Sequence, residues 1–300
     1  MKDLPIKNLA MLFLTAFIWG TAFVAQSVGM DHIGPFTFNA ARSLIGGVAL
    51  LPVLWLFGRN KTPERRAAEH AERRTLIVGG ICCGVALCVA SNLQQVGILY
   101  TTVGKAGFIT ALYIVIVPIL GLFFHRRVGA KIWIGVVIAV LGLYLLCMSG
   151  SLRLAKGDLL VLLCALAFSV HIMIIDHFCP KVDGVKLSCI QFFVAGVLSC
   201  VPMGIAEGAP DLHLIAISWL PIVYAGVLSS GVAYTLQILG QKNVEPTVAS
   251  LILSLESVFS VLAGWAVLHQ SMSGREILGC VLMFCAIVLA QLPDRKRGTA

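Results

Sequence analysis

Ten long apolar stretches divided by short loops run through this chain, and the second five repeat the first five. Setting FIWGTAFVAQ at 17–26 against LAFSVHIMII at 166–175 gives a shift of 149, which places Trp19 on Phe168, Gln26 on Ile175 and Arg42 on Gln191. Beyond the loop around 58–74 the shift becomes 143 and takes Gln94 to Gln237, Gly97 to Gly240, Ala106 to Ala249, Leu112 to Leu255 and Gly121 to Gly264. A surface loop is where such a change in length is tolerated. Five spans is an odd number, so the second copy must enter the membrane in the opposite sense to the first. Inverted repeats of this kind build two halves that rock about a site near the bilayer midplane.

Composition points the same way. The chain is 59% hydrophobic and 12% charged, with a mean hydropathy of +0.95, whereas a soluble domain carries about 25% charged residues. The expected spans lie at roughly 8–28, 35–57, 75–95, 104–124, 131–148, 157–175, 186–205, 217–239, 246–268 and 275–292. Each is long enough to cross a hydrocarbon core of about 30 Å. Backbone groups in lipid must be paired within their own segment, which makes these segments helices. The expectation is an all-α integral membrane protein: ten transmembrane helices in two inverted five-helix repeats, 1–148 and 149–300, with no soluble domain. The first apolar run exceeds the roughly 7–15 residues of a secretory signal core and leads directly into another span, so it reads as an uncleaved helix.

The net charge of +8 raises the question of nucleic acid, and the placement of the charges answers it. With the N-terminus in the cytoplasm, Lys2, Lys7, Arg59, Lys61, Arg65, Arg66, Arg73, Arg74, Arg126, Arg127, Lys131, Lys181, Lys186, Lys242, Arg295, Lys296 and Arg297 all lie inside. Lys105, Arg153, Lys156 and Arg275 lie on the other side. That bias obeys the positive-inside rule and places both termini in the cytoplasm of a cell (inner or plasma) membrane. The basic loop RNKTPERRAAEHAERR at 59–74 is then a determinant of topology that meets the lipid bilayer, and no nucleic-acid partner is expected. The ten cysteines show no CxxC pairs and no Cys/His ligand spacing, so neither a disulfide scaffold nor a metal is expected. No cofactor is expected either, and the lack of a P-loop pattern leaves ATP drive without support.

Helical spacing shows which faces look away from lipid. Thr15, Trp19, Ala22 and Gln26 share a stripe on the first span; Cys164, Phe168, His171 and Ile175 share the matching stripe on the sixth. Ser91, Gln94 and Gln95 sit near the end of the third, and Ser230, Tyr234, Gln237 and Gln241 on the eighth. The ninth carries Ala249, Glu256, Ser260 and Gly264, and the fourth answers with Ala106, Tyr113, Val117 and Gly121. Polar groups on matched faces suggest one wettable cavity on the pseudo-twofold axis. The competing reading is that Ser, Gly and Gln simply join helices.

Two charges are placed where the membrane penalises them. Glu256 lies mid-span and Arg42 well inside the second span. A charge near a helix centre costs about 2.5–3.5 kcal/mol on insertion scales, so each should face water or a partner. Glu256 is a candidate for binding a substrate amine or a coupling proton, and Arg42 for a substrate carboxylate; a buried salt bridge or cap would be the purely structural alternative. His171 could relay protons or serve as a hydrogen-bonded packing residue. Trp19, Arg42, Gln94, Tyr113, His171, Tyr234, Gln237 and Glu256 are the candidate substrate contacts. Pro118 would interrupt the fourth span, and with Val261 at its repeat position the resulting hinge would be asymmetric.

At these residues the chain resembles a known family. WGTAF at 19–23, the Arg42 of NAARSLIGG, and GILYTTVGKAGFITALYIVIVPILG in the fourth span resemble the first repeat of EamA-type members of the drug/metabolite transporter superfamily. KGDLLVLLCALAFSVHIMI and SLILSLESVFSVLAGWAVLHQSMSGREILGCVLMFCAIVLA resemble the second. The resemblance implies a ten-helix monomer of inverted repeats that exports or exchanges small metabolites such as amino acids, in some members with protons as the coupling ion. Where the family pattern usually has Gly-Glu, this chain has His269-Gln270, and an acidic residue is also absent at His125-Arg126; a role for that glutamate does not carry over. Transport of a lipid or lipid-linked sugar is the alternative cargo. An integral-membrane enzyme would need nucleophile, base or metal clusters that this pattern lacks.

Overall fold

A computed structural model describes residues 6–59, 72–101, 103–125, 128–147, 156–268 and 273–291. The basic loop at 60–71, His269, Gln270, Arg126 and both chain ends lie outside the described residues. Among the described residues all regular structure is helical. Eight segments are long and apolar enough to cross a membrane: Ile6–Gly29, Pro35–Leu56, Arg73–Ile98, Ala106–Phe123, Lys156–Phe178, Gly184–Ala206, Trp219–Gln241 and Pro246–Ala263. Two further apolar helices, Ala130–Cys147 and Gly274–Gln291, complete five per repeat. Large apolar side chains such as Val48, Trp55, Val137, Val197 and Val288 point outward, as a lipid-facing surface requires.

The helices pack mainly across the repeats, and the most extensive contacts come as images of one another. The third span lies on the sixth as the eighth lies on the first; the third lies on the seventh as the eighth lies on the second. The second pairs with the seventh, and the fifth with the tenth, on the axis itself. Single residues obey the same symmetry. A Cβ on Gly97 would stand 2.6 Å from Val161 Cγ2 and 3.2 Å from Gly157 O; one on Gly240 would stand 2.9 Å from Leu12 Cγ and 3.0 Å from Asn8 O. Asn8 and Leu12 are the repeat positions of Gly157 and Val161. Gly47 meets the Phe193 ring while its image, Gly196, meets Leu44, the image of Phe193. Small residues let backbones approach where lipid supplies no hydrophobic drive between helices.

The repeats differ at one helix start. Asp183 caps the seventh span with its own carboxylate, accepting from Val185 N at 3.0 Å and Lys186 N at 3.1 Å. Its image before the second span is Gly34, which has no side chain to offer. The missing acceptor comes from the other repeat: Glu207 accepts from Phe36 N and Thr37 N, both at 2.8 Å, and from Thr37 Oγ1 at 2.6 Å. Either arrangement satisfies orphan N–H groups of a first turn.

The fourth and ninth spans are broken rather than continuous. The fourth runs as Val103–Thr110 and Tyr113–Phe123, the ninth as Pro246–Leu253 and Glu256–Leu268. The breaks, at 111–112 and 254–255, are images of one another. Both use the same tightened bonds: Leu112 N to Ile109 O at 3.2 Å and Ile114 N to Ala111 O at 3.1 Å, matched by Leu255 N to Ile252 O at 3.1 Å and Ser257 N to Ser254 O at 3.2 Å. The expected asymmetric hinge at Pro118 is therefore corrected. Pro118 lies inside the helix Tyr113–Phe123, and the second repeat breaks at the same place with Val261 in the proline position. The Ser257 hydroxyl donates to Gly107 O at 3.2 Å and ties the two broken spans together. The eighth span is also irregular, with a π-helical stretch at Tyr224–Ala233, a departure that frequently accompanies functional sites.

Candidate functional site

A cavity forms where the broken spans meet the axis. It is lined by Trp19, Phe23, Gln26, Arg42, Gln94, Thr110, Tyr113, Phe168, Ile172, Ser229, Tyr234, Gln237, Leu253 and Glu256, and it encloses about 460 Å³ of space between atoms, its mouth included. The lining is largely a set of repeat pairs: Trp19 with Phe168, Phe23 with Ile172, Gln94 with Gln237, Thr110 with Leu253 and Tyr113 with Glu256. Seven of the eight candidate residues named from the sequence line it. The exception is His171, which is buried beside the cavity, bonds through Nε2 to Gln191 Oε1 at 3.1 Å, and sets its ring edge-on to Tyr234 at 6.0 Å.

Each polar group is held by identifiable partners. Glu256 is the first residue of the half-helix Glu256–Leu268, where the positive end of the helix dipole favours an acid. The Tyr113 hydroxyl, on the first residue of the matching half-helix, donates to Glu256 Oε1 at 3.0 Å. Arg42 donates from Nε to Asn39 Oδ1 at 2.7 Å. Asn39 Nδ2 donates to Asn92 Oδ1 at 2.9 Å, and Asn92 Nδ2 to Ser199 Oγ and Cys88 O, each at 2.9 Å. Three spans thus orient the arginine. Glu256 takes its hydrogen bond from Tyr113, and Arg42 gives its own to Asn39, so these bonds do not join the two charges to each other.

Aromatic walls complete the site. Trp19 Nε1 donates to Ser229 O, inside the π-helical stretch, at 3.3 Å. Its ring lies 4.5 Å from that of Tyr234, which stands edge-on to Phe192 at 5.3 Å. Gln94 Nε2 donates to Thr110 Oγ1 at 3.2 Å. Gln26 Oε1 and Gln237 Oε1 have no protein partner, leaving two amide acceptors available in a cavity with one cation, one acid and several rings. Apolar walls with a few fixed polar groups are the usual make-up of a small-molecule site.

Some of the lining was not singled out from the sequence as a substrate contact. Gln26 shares the stripe of Trp19, and Phe168 is its repeat image, so both carried a signal. Phe23 and Ile172 read as ordinary apolar residues in the sequence, yet both line the cavity. The Asn39–Asn92–Ser199 relay gave no signal, because hydrogen bonds across three helices have no spacing rule. Among the described residues no group of three or more His, Cys, Asp or Glu is placed to hold a metal ion.

The sequence model of the EamA-like transporter family matches residues 6–148 and again 155–292. An uncharacterized transporter of Archaeoglobus fulgidus is 30% identical over 284 residues, covering 94% of this chain and 84% of the relative. The uncharacterized transporter YoaV of Bacillus subtilis is 21% identical over 297 residues, covering 97% and 99%. The uncharacterized inner membrane transporter YedA of Escherichia coli is 25% identical over 287 residues, covering 94% and 89%. A protein of known crystal structure superposes with a TM-score of 0.77 at 19% identity, over 94% of this chain and 96% of its own, and so shares the fold. Two family matches on two structurally matched halves make the chain a multi-pass membrane protein of the EamA-like transporter family, within the drug/metabolite transporter superfamily.

Proposed function

We propose that this protein is a secondary transporter that exports or exchanges small amphipathic metabolites, amino acids or close relatives, through the cavity between repeats 1–148 and 149–300. The observation that carries the reading is the placement of Tyr113 and Glu256. Image residues at the starts of two half-helices meet on the axis and share a hydrogen bond. Broken helices on a pseudo-twofold axis are the form that coupled binding sites take in inverted-repeat transporters. Arg42 would receive a carboxylate, Glu256 an amine or a proton, and Trp19, Tyr113, Tyr234 and Phe168 the apolar body. Gln94 and Gln237 would bond its remaining polar groups.

The charge distribution supports a cell membrane location with both termini cytoplasmic. The relatives' names support transport over catalysis. A metabolite screen of cells with and without the protein, followed by uptake of the enriched compounds into proteoliposomes, tests the reading. Protein-dependent flux of a zwitterionic solute supports it. Flux confined to lipids or lipid-linked sugars, or product formation without flux, would replace it.

A further inference from the structure

The cavity is not symmetric about the axis that generates its lining. Helix direction alternates, so one face of the bundle carries residues 6, 178, 184 and 241, and the opposite face carries 29, 35, 98 and 156. The first of these is the basic face, with Lys7, Lys181, Lys186 and Lys242. In the first repeat the cavity reaches Gln26, close to the opposite face, and Arg42, about two turns in from it. By symmetry the second repeat should offer Gln191 and Ile175 toward the basic face. Neither lines the cavity, and both are fully buried.

The cause is visible at one pair of image positions. Tyr234 holds the second-repeat position and Ser91 the first. Ser91 is small and turns its hydroxyl back onto Leu87 O at 2.7 Å. Tyr234 instead stands between the cavity, which it lines, and His171, packed edge-on to it. Behind it lie polar atoms with no partner, His171 Nδ1 and Gln191 Nε2, both residues 0% exposed; further toward the basic face, at the end of the same helix, both polar ends of the Gln241 amide are unpaired too. Dry, unpaired polar groups are disfavoured and call for an explanation. A second state that wets them supplies one.

We infer that His171 and Gln191 form a second polar subsite for the cargo, covered by Tyr234 here and uncovered when the two repeats exchange conformations. The inference rests on the transporter reading. In the exchanged state the second repeat adopts the geometry the first has now, and Gln191 takes the place Arg42 holds. The subsite takes a hydrogen-bonding group, donated to by Gln191 Nε2 and bonded by His171 Nδ1, without a fixed positive charge. An anionic group therefore meets a cation when the cavity leans to the opposite face and neutral partners when it opens to the basic face. Cargo with a carboxylate should bind more weakly from the basic face.

Accessibility tests this in the full-length protein reconstituted in liposomes, in a variant whose native cysteines are replaced. The probe is a membrane-impermeant anionic methanethiosulfonate reagent added to one face at a time. Gln191→Cys should react only from the basic face and Arg42→Cys faster from the opposite face. Combining Gln191→Cys with Tyr234→Ala should raise the basic-face rate at least tenfold. His171→Cys, read the same way, covers the case in which Gln191→Cys does not fold. If the folded variants react only from the opposite face, or stay unreactive from the basic face even with Tyr234→Ala, the inference is overturned. Flux of any solute is measured on the same vesicles. Labelling as expected without flux would leave the subsite standing and remove the transporter reading; flux without basic-face labelling would do the reverse.

Discussion

Tyr113 and Glu256 occupy the same position in the two repeats and are bonded to one another, hydroxyl to carboxylate, at 3.0 Å. Each is the first residue of the second half of a broken span. The axis that relates the repeats therefore passes by a bond between a phenol, which donates, and a carboxylate, which accepts. One repeat position thus carries two different groups, a phenol in the first repeat and a carboxylic acid in the second.

Glu256→Gln keeps size and hydrogen-bonding capacity while fixing neutrality. If the carboxylate couples flux to protons, the variant still exchanges cargo but loses accumulation driven by a pH gradient. If it binds an amine, exchange falls as well, with at least a tenfold rise in KM for zwitterionic cargo. Exchange, gradient-driven uptake and melting on one purified preparation separate these outcomes. Normal gradient-driven transport would remove both roles.

Trp19→Ala removes the bond to Ser229 O and the ring packed at a tilt against Tyr234. It should change the order of preference among solutes more than it changes yield. A panel of aromatic and aliphatic amino acids in competition assays reads the shift. An unchanged order in folded protein would show that the indole does not meet cargo.

The helix crossings predict stability by symmetry. Gly97→Val and Gly240→Val each push a side chain into a neighbour under 3 Å away, and overpacking of this kind costs about 1–3 kcal/mol. Gly204→Ala, with nothing within 4 Å, should be neutral or stabilising by about 0.4–1 kcal/mol. Unfolding in detergent measures all three, and a large loss only at Gly204 would contradict the packing.

The proposed topology, which the charges support, makes a prediction at two exposed sites. In whole cells a single cysteine at Asn243 should be protected from an impermeant reagent, and one at Ala209 should react; both sites are exposed on the protein. The reverse pattern would invert the assignment of faces.

The repeats, the spans and most of the cavity were legible in the sequence because membrane helices obey simple rules of length and spacing, and because a duplicated chain states each rule twice. Glu256 and Tyr113 appeared on matched stripes before any contact was known. The breaks at 111–112 and 254–255 were not legible. Neither Ala111-Leu112 nor Ser254-Leu255 contains a glycine or proline, and the expectation settled on Pro118 instead. Those breaks belong to the meeting of the fourth and ninth spans, which the Ser257 bond to Gly107 O records. The cover over His171 was not legible either: its stripe faces the axis, but Tyr234 stands in front of it, and no spacing rule announces a ring from another span.

Passage of solute through this cavity is tested most directly by counterflow in proteoliposomes. Wild-type protein should exchange a radiolabelled zwitterionic solute saturably. Gln94→Trp, which fills the cavity beside Thr110, should still unfold cooperatively, if at a lower temperature, and lose more than nine-tenths of that exchange. Gln94→Trp that folds and exchanges at the wild-type rate would place the route elsewhere and contradict the account.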